Sequence, residues 1–353
     1  MTNDAIPRTP PPTPTLGEAF KYWLKLGFIS FGGPAGQIAM MHQELVERRR
    51  WISEHRYLHA LNYCMLLPGP EAIQLAIYIS WLMHGIKGAV MAGVLFFLPA
   101  FLLLSLLAGV YLNFGEVPAV QGIFHLIKPA VVAVVLFAAW RIGTRTIKNR
   151  LLGGIAALAF IGIFFFDIDF PWIVLAAAIL GAIGGKLMPA QFQSGGGHGA
   201  SNKQYGPALI DDDTPPPAHA RFTWLKLVVT TLVFVVIGAA ALLALSGSSD
   251  LFNMGAFFVK AAFLTIGGAY AVLPYVYHGA VEYFAWLTGP QMMDGLALGE
   301  TTPGPLIMIV TWVGYMGGVA KSVLGTPIAA GLAGAAVATF FTFLPSFWFI
   351  IAG

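Results

Sequence analysis

Charged residues are scarce in this chain of 353 residues: they make up 10% of it, whereas 58% of the residues are hydrophobic. Soluble domains carry about 25% charged residues, so this chain cannot cover a water-facing surface. Two segments without Asp, Glu, Lys or Arg, 88–115 and 227–249, exceed the roughly 20 residues that a helix needs to cross a bilayer. Because backbone groups in lipid must be paired within the segment, the chain is predicted to be an all-α polytopic membrane protein.

Cysteine and catalytic motifs are also scarce. Cys64 is the single cysteine, which excludes an intramolecular disulfide and a cysteine-based metal cluster. The sequence contains no HExxH, GxSxG or Walker pattern, so no enzyme activity, cofactor, metal site or ATP-driven transport is predicted. The net charge of +3 is small, and nucleic acid is not an expected partner.

Polar segments of low complexity divide the chain. The Pro/Thr-rich residues 1–15 are predicted to form a disordered tail rather than a signal peptide. Residues 189–222 contain runs of Gly, Asp and Pro, which predict a flexible cytoplasmic linker. The remaining chain forms two halves, 16–188 and 223–353.

The two halves contain an internal repeat at a constant offset (260 − 25 = 235), without gaps over about fifty residues. The matched pairs include Lys25 and Lys260, Gly33 and Gly268, Trp51 and Trp286, Pro68 and Pro303, Gly69 and Gly304, and Pro70 and Pro305. Trp, Pro and Gly rarely coincide by chance, so the halves are predicted to be duplicated. The second half, ending at Gly353, is expected to be a shortened copy of the first.

Each repeat contains two interrupted apolar segments, which in the first repeat are broken at Gly32-Gly33-Pro34 and at Pro68-Gly69-Pro70. Proline removes a hydrogen-bond donor and glycine adopts unusual dihedral angles, so a helix breaks at such positions. The two arms together are too long for one span, and each arm, at about 20 to 24 Å, is too short. A re-entrant hairpin of two half-helices is therefore predicted at each break.

The placement of charge favours hairpins that enter and leave the membrane on one side. The cytoplasmic side then carries the N-terminus, the linker and most basic residues of the first half, as the positive-inside rule prefers. These basic residues include Arg48, Arg56, Lys87 and the cluster 141–150. Five full spans separate the two repeats in this topology. Because five is odd, the predicted fold is an inverted structural repeat with broken helices.

The broken helices predict an anion site. A helix N-terminus presents unpaired N–H groups and about half a positive charge, and discontinuous helices at a repeat interface recur in transporters. New helices begin after Gly33, Gly69, Gly268 and Gly304, and their four N-termini are predicted to converge on one anion. The alternative is that these glycines form tight turns packed in protein, without a ligand.

Candidate functional residues lie around the breaks. The predicted substrate-binding residues are Lys25, Ser30, Gly32, Gly33, Pro68, Gly69, Pro70, Gln74, Lys260, Thr265, Gly267, Gly268, Thr301, Thr302, Pro303, Gly304 and Pro305. An intramembrane lysine is a candidate for function, although Lys25 and Lys260 could also extend to the interface. Glu71 and Glu300 are candidates for carrying a coupling proton, and the alternative for Glu71 is to cap a helix dipole.

Several of these motifs form a specific combination. Its parts are Phe31-Gly32-Gly33-Pro34, Gly36-Gln37, Trp51, Pro68-Gly69-Pro70, Gln74-Leu75, Leu98-Pro99, Gly267-Gly268-Ala269, Trp286 and Glu300-Thr301-Thr302-Pro303-Gly304-Pro305. The combination resembles the chromate ion transporter family and covers the chain except for the tail and the linker. The resemblance implies a multi-pass protein of the bacterial inner membrane that exports chromate, driven by the proton-motive force, and confers chromate resistance. Ala269 departs from the pattern where the first repeat has Pro34, which predicts a softer break.

Three other functions are alternatives. The chain could import or exchange sulfate or another tetrahedral oxyanion, because sulfate and chromate share charge and shape. It could be a passive anion channel. A membrane-embedded enzyme would need clustered acid and histidine side chains, whereas the eight histidines are scattered. The expected partners are a chromate-like or sulfate-like oxyanion and the lipid bilayer, with a homodimer as an option.

Overall fold

The fold is helical throughout the part of the chain that the computed structural model describes. This part comprises residues 9–31, 33–115, 146–166, 170–189, 205–266 and 268–353, with isolated positions between 117 and 168. Within it, the one extended pairing is a bridge between Ile52 and Ile210. The all-α prediction is therefore confirmed for these residues.

The helices fall into two compact units, Met1–Gln121 with Ala200–Gly353 and Gly122–Gly199. In chain order they are α1 (Leu16–Ile29), α2 (Gly33–His42), α3 (Glu54–Leu66), α4 (Glu71–Phe114), α5 (Arg150–Phe166), α6 (Phe170–Leu187), α7 (Trp224–Ala244), α8 (Ser249–Leu264), α9 (Ala269–Tyr277), α10 (Gly289–Thr301), α11 (Ile309–Ala320) and α12 (Pro327–Ala352). Only α5 and α6 of this set belong to the smaller unit.

Among the described residues, three helices, α4, α7 and α12, are long and apolar enough to cross a membrane. Shorter apolar helices lie at Arg150–Phe166, Trp172–Leu187 and Leu306–Ala320. In α7 no residue is buried, and the side chain of Leu225 is 75% exposed. Such apolar exposed surface suits a lipid environment and agrees with a membrane protein.

Helix α4 turns back on itself at Gly85, where φ is 61° and ψ is −150°. A methyl group placed on Gly93 would lie 3.0 Å from Cγ1 of Ile77, although 16 residues of straight helix would span about 24 Å. The arms 71–84 and 86–114 therefore pack antiparallel. Glycine permits this turn because its φ is positive.

The chain also doubles back after α1. Helix α2 continues through a π-helical turn, Gln43–Arg48, to an aromatic cluster beside the second turn of α1. There the ring centroids of Trp51 and Tyr22 are 5.5 Å apart, and the Arg49 guanidinium lies 5.2 Å from the Tyr22 ring. The chain after the first break thus returns to the second turn of α1 at this cluster.

The second repeat has the same cluster 235 residues later. Trp286 corresponds to Trp51, and its ring centroid lies 5.4 Å from that of Phe257, the counterpart of Tyr22. Phe284 takes the place of Arg49 and stacks on Trp286 at 4.5 Å. Aromatic stacking in the second repeat therefore replaces the cation–π contact of the first.

Local structure follows the sequence repeat closely. The π-helical turn Gln43–Arg48 recurs at His278–Tyr283, and α3 recurs as α10, both at the offset of 235 residues. The side chains of Ser53 and Thr288 cap the N-termini of these two helices at the same repeat position. From the π-helical turn to the second break, residues 43–66 and 278–301, the backbone thus has the same local structure in both repeats.

Residues 205–222, in the second part of the predicted linker, contact the first repeat. The Ile210 N–H donates to the Trp51 carbonyl at 3.0 Å, and the Ser53 N–H donates to the Ile210 carbonyl at 2.9 Å. These bonds fasten that part of the linker to the loop that follows α2. The first part of the linker, 190–204, lies outside the described residues.

Candidate functional site

The breaks of the two repeats are joined by two backbone hydrogen bonds. The Gly69 N–H donates to the Thr265 carbonyl at 2.7 Å, and the Gly304 N–H donates to the Ser30 carbonyl at 3.0 Å. Both partners are related by the repeat offset, since 30 + 235 = 265 and 69 + 235 = 304. We call these bonds the Gly69 crossover and the Gly304 crossover. A bond made twice with exchanged partners is what a two-fold axis between the repeats produces.

Each crossover is covered by a helix of the other repeat. A methyl group placed on Gly69 would lie 2.8 Å from Ser346 Oγ, and one placed on Gly304 would lie 2.6 Å from Ala100 Cβ. Ser346 follows Pro345 in α12, and Ala100 follows Pro99 in α4. Only glycine fits at either crossover, because φ is +121° at Gly69 and +123° at Gly304.

Two buried glutamines brace the crossovers. Gln37 Nε2 donates to the Gly304 carbonyl at 2.7 Å, and Gln74 Nε2 donates to the Pro68 carbonyl at 2.7 Å. Both side chains are fully buried. Each glutamine thus holds the backbone on one side of a break, and Gln74, predicted to bind substrate, has one N–H engaged in this way.

The polar side chains around the crossovers are distributed asymmetrically. Gln37 corresponds to Val272, Glu71 to Leu306, Gln74 to Ile309 and Ser346 to Ala100, while in the second repeat Glu300, Thr301 and Thr302 correspond to Met65, Leu66 and Leu67. Glu71, Gln74 and Ser346 lie around the Gly69 crossover, and Gln37 lies at the Gly304 crossover. A repeated backbone therefore carries different polar side chains at its two crossovers.

Helices that begin at the breaks lack the side-chain caps found elsewhere. Outside the breaks, an oxygen of the preceding side chain accepts from the first turn at Thr15, Ser53, Asn149, Thr223, Ser248, Thr288 and Thr326. No such bond is made by Pro70 before α4, by Gly268 before α9, or by Pro305 before the short 3₁₀ helix Leu306–Met308 that leads into α11. Uncapped N–H groups leave positive charge available to an anion.

The two predicted proton-coupling residues both approach the first turn of α9. A methyl group placed on Gly268 would lie 3.8 Å from Glu71 Oε1 and 4.0 Å from its Oε2. Glu300 accepts a hydrogen bond of 2.8 Å from the hydroxyl of Tyr270, the second residue of α9. A carboxylate of the first repeat thus stands at an uncapped helix start of the second.

The predicted hydroxyl donors bond to their own helices. Their acceptors are the carbonyls of Gly27 for Ser30 (3.4 Å), Ala261 for Thr265 (2.8 Å), Ala297 for Thr301 (3.1 Å) and Gly299 for Thr302 (3.2 Å). A hydroxyl has one proton to donate, so these four protons are engaged. The carbonyls of Ser30 and Thr265, by contrast, form the crossovers.

The two predicted substrate lysines lie on exposed faces. Lys25 shares the outer surface of α1 with Phe28, whose side chain is 56% exposed. The Lys260 ammonium lies 5.7 Å from the ring centroid of Tyr275, in α9. Neither ammonium reaches a crossover in the contacts of the described residues. Gly32 and Gly267 lie outside these residues.

Three buried polar residues, two at the crossovers and one in α10, were not predicted from the sequence to have a role. Gln37 stands in a quoted motif but was assigned no role, and Ser346 directly follows a Phe-Leu-Pro match between the repeats. Asp294 in α10 is 3% exposed and accepts a 2.9 Å hydrogen bond from the Tyr111 hydroxyl. Each of the three could have been identified as a polar residue within an apolar helical segment.

A duplicated helical membrane protein whose broken helices meet between its repeats has the architecture of a transport protein. A family model described as Chromate transporter matches residues 17–182 and 252–353. The chain therefore belongs to the chromate transporter family. Members of this family are transport proteins and not enzymes, and the membership supports chromate transport.

Similar proteins are found in several bacteria. The chain is 34% identical over 350 residues to the chromate transport protein of Pseudomonas aeruginosa, covering 98% of this chain and 74% of that one. It is 30% identical over 341 residues to the chromate transport protein of Cupriavidus metallidurans, covering 96% and 74%. The probable chromate transport protein of Synechococcus elongatus is 27% identical over 338 residues, with coverage of 95% and 75%. No solved structure matches the chain.

The Gly304 crossover predicts a specific pattern of stability. We expect Gly304→Ala to lower the free energy of unfolding by about 2–5 kcal/mol, because it combines positive-φ strain with a clash against Ala100. In a double-mutant cycle with Ala100→Gly, the clash should appear as a coupling energy of about 1–3 kcal/mol. Thermal and denaturant unfolding of the purified protein in detergent measure both quantities.

Gly299→Ala is the matched control, because its added methyl group would come no closer than 4.0 Å to Ile309. This substitution lies inside α10 and should be neutral or stabilising by up to about 1 kcal/mol. Equal stability of Gly304→Ala and Gly299→Ala would contradict the crossover geometry.

Proposed function

We propose that this chain is a secondary transporter that exports chromate across the bacterial inner membrane, driven by the proton-motive force, and thereby confers chromate resistance. The observation that carries the proposal is the set of uncapped helix starts beside the two crossovers. Outside the breaks, each described α-helix start with an assigned cap has a side-chain oxygen on its N–H groups, and the short 3₁₀ helix Ala218–Ala220 has none. The starts at the breaks leave theirs to a ligand.

A tetrahedral oxyanion suits these groups. Its four oxygens accept hydrogen bonds in different directions, so that N–H groups from more than one helix start can bind it at once. The N-termini of the helices that begin at the breaks add a positive potential where water is scarce. Chromate and sulfate share this shape and charge, so the same site accommodates both, and transport measurements decide between them.

Glu71 provides the coupling between oxyanion and proton in this proposal. Its carboxylate stands beside Gly268, at a helix start where an oxyanion would bind. Two negative charges at one helix start repel each other, so the oxyanion and the ionised carboxylate compete. Protonation of Glu71 removes its negative charge, so that the oxyanion can bind at this helix start. Glu300 contacts the same turn of α9 through Tyr270 and is the second candidate for the proton.

Alternating access follows if the repeats are inverted. The two crossovers are consistent with a two-fold axis between the repeats. The number of spans between the repeats determines whether the second repeat is inverted relative to the membrane. These spans are the arm 86–114, the predicted span 117–140, and α5, α6 and α7. Because their number is odd, equivalent hairpins open on opposite sides, and rocking about the crossovers exposes the site to each side in turn.

In this proposal the exposed lysines attract the anion to the site entrance electrostatically. Lys25 and Lys260 precede the breaks by equal distances along the chain. A cation near a site entrance raises the local concentration of an anion and its rate of association. Such a role does not require direct contact with the bound oxyanion.

Chromate flux into proteoliposomes tests coupling. We expect an imposed pH gradient to drive chromate accumulation by the wild type and a protonophore to abolish it. Glu71→Gln should reduce this accumulation at least about tenfold, equivalent to 1.4 kcal/mol of lost driving force, but retain downhill exchange.

Lys25→Ala and Lys260→Ala should raise KM and reduce its dependence on ionic strength, with unchanged flux at saturating chromate.

The controls separate the alternatives. Transport of sulfate in preference to chromate would identify a sulfate transporter. Flux that ignores the pH gradient in the wild type would contradict proton coupling and favour a channel. Unaltered kinetics in both lysine variants would remove the lysines from the account.

Cysteine labelling tests the inverted topology. Arg48 and Tyr283 occupy equivalent exposed positions, since 48 + 235 = 283. In a Cys64→Ala background, Arg48→Cys should react with a membrane-impermeant maleimide only from the cytoplasmic side. Tyr283→Cys should react only from the opposite side. Labelling of both residues from one side would show that the repeats are parallel.

A further inference from the structure

Ser346 has an unused hydroxyl in the interior of the protein. It lies in α12, it is 1% exposed, and its Oγ has no hydrogen-bond partner among the described residues. A buried hydroxyl in a helix usually bonds to a carbonyl one turn earlier, as Thr342 does to Ala338 at 2.7 Å. An unbonded buried hydroxyl is destabilising, so its presence calls for an explanation.

The hydroxyl lies at the Gly69 crossover, beside the start of α4. A methyl group placed on Gly69 would lie 2.8 Å from Ser346 Oγ and 2.6 Å from Gln74 Nε2. The helix begins two residues later, at Glu71, and Pro70 provides no side-chain cap. Gln74 Nε2 carries two N–H groups, one of which donates to Pro68. Its second N–H and the Ser346 hydroxyl are therefore neighbouring donors at an uncapped helix start.

Two other buried serines, Ser80 and Ser105, also lack a partner. Both lie inside the arms of α4, away from the breaks. Ser346 differs because it faces the N-terminus of a helix of the other repeat. Its counterpart at the Gly304 crossover, Ala100, has no polar group. The two crossovers are thus alike in backbone and different in what they can bind.

We propose that Ser346 contacts the transported oxyanion. Its hydroxyl donates a hydrogen bond to one oxygen of the anion, and the N–H groups at the start of α4 bind other oxygens. Gln74 supplies a further N–H and fixes the shape of the break through Pro68. The inference rests on the proposed function and locates the anion at the Gly69 crossover, because Ala100 leaves the Gly304 crossover without this donor.

Equilibrium binding of radiolabelled chromate and sulfate to the purified protein in detergent tests this assignment. We expect Ser346→Ala to raise Kd for both anions about tenfold or more, because it removes a hydrogen bond to a charged group. Ser346→Cys keeps the size of the side chain with a weaker donor, and it should also raise Kd. Thermal unfolding of each variant shows that it remains folded.

Thr342→Val is the matched control, since it removes a hydroxyl one turn earlier that already bonds to Ala338. Its Kd should equal that of the wild type. Wild-type binding with an unchanged Kd in folded Ser346→Ala would overturn this inference and leave the proposed function standing. A similar loss in Thr342→Val would also overturn it, because the effect would then be one of packing. A wild type that binds neither anion would overturn the proposed function itself.

Discussion

The structure depends on the pairing of backbone groups at the helix breaks. In a membrane, a broken helix frees N–H and carbonyl groups that water cannot reach, and each must find a partner in the protein. The Gly69 and Gly304 N–H groups find theirs in the carbonyls of the opposite repeat. Neither repeat satisfies its breaks alone. Each repeat therefore depends on the other for these two bonds, and the contact between the repeats lies beside the uncapped helix starts.

Equal backbones with unequal side chains give this arrangement its chemistry. Both crossovers have the same bond, the same positive φ and the same covering helix position. Glu71, Gln74 and Ser346 lie at the Gly69 crossover, whereas Gln37, Thr301 and Thr302 lie at or directly before the Gly304 crossover. The backbone of the two crossovers is therefore repeated, while the hydrogen-bonding groups differ between them. A frame of two related halves with a site at their contact is the arrangement on which the proposed transport rests.

Much of this frame could be predicted from the sequence, because glycine and proline determine the backbone locally. The breaks at Gly69 and Gly304, the repeat offset and the helical class all follow from residues close together in the chain. The crossovers could not be predicted, since they join residues more than 190 positions apart (265 − 69 = 196). Sequence spacing also could not determine which face of α1 carries Lys25.

Composition did not predict the hydrogen-bond partners of the polar groups near the breaks or of the linker. The threonines near the breaks were expected to be donors, but their protons bond to helix carbonyls, a local competition that sequence does not resolve. Ser346 was overlooked because its importance comes from the opposite repeat. Pro, Gly and Asp in the linker predict flexibility, yet Ile210 pairs with the backbone around Trp51. Only the tertiary structure shows such a partner.

Anomalous diffraction from crystals grown with selenate would locate the oxyanion, which we propose binds at the Gly69 crossover. Selenate is a tetrahedral dianion of the same shape as chromate, and selenium gives a strong anomalous signal. We expect a selenium peak about 4 Å from Ser346 Oγ and from the first N–H groups of α4, because each donor bonds to a selenate oxygen that lies between it and the selenium. A peak beside Lys25 or Lys260 on the outer faces, with none at the crossover, would contradict it.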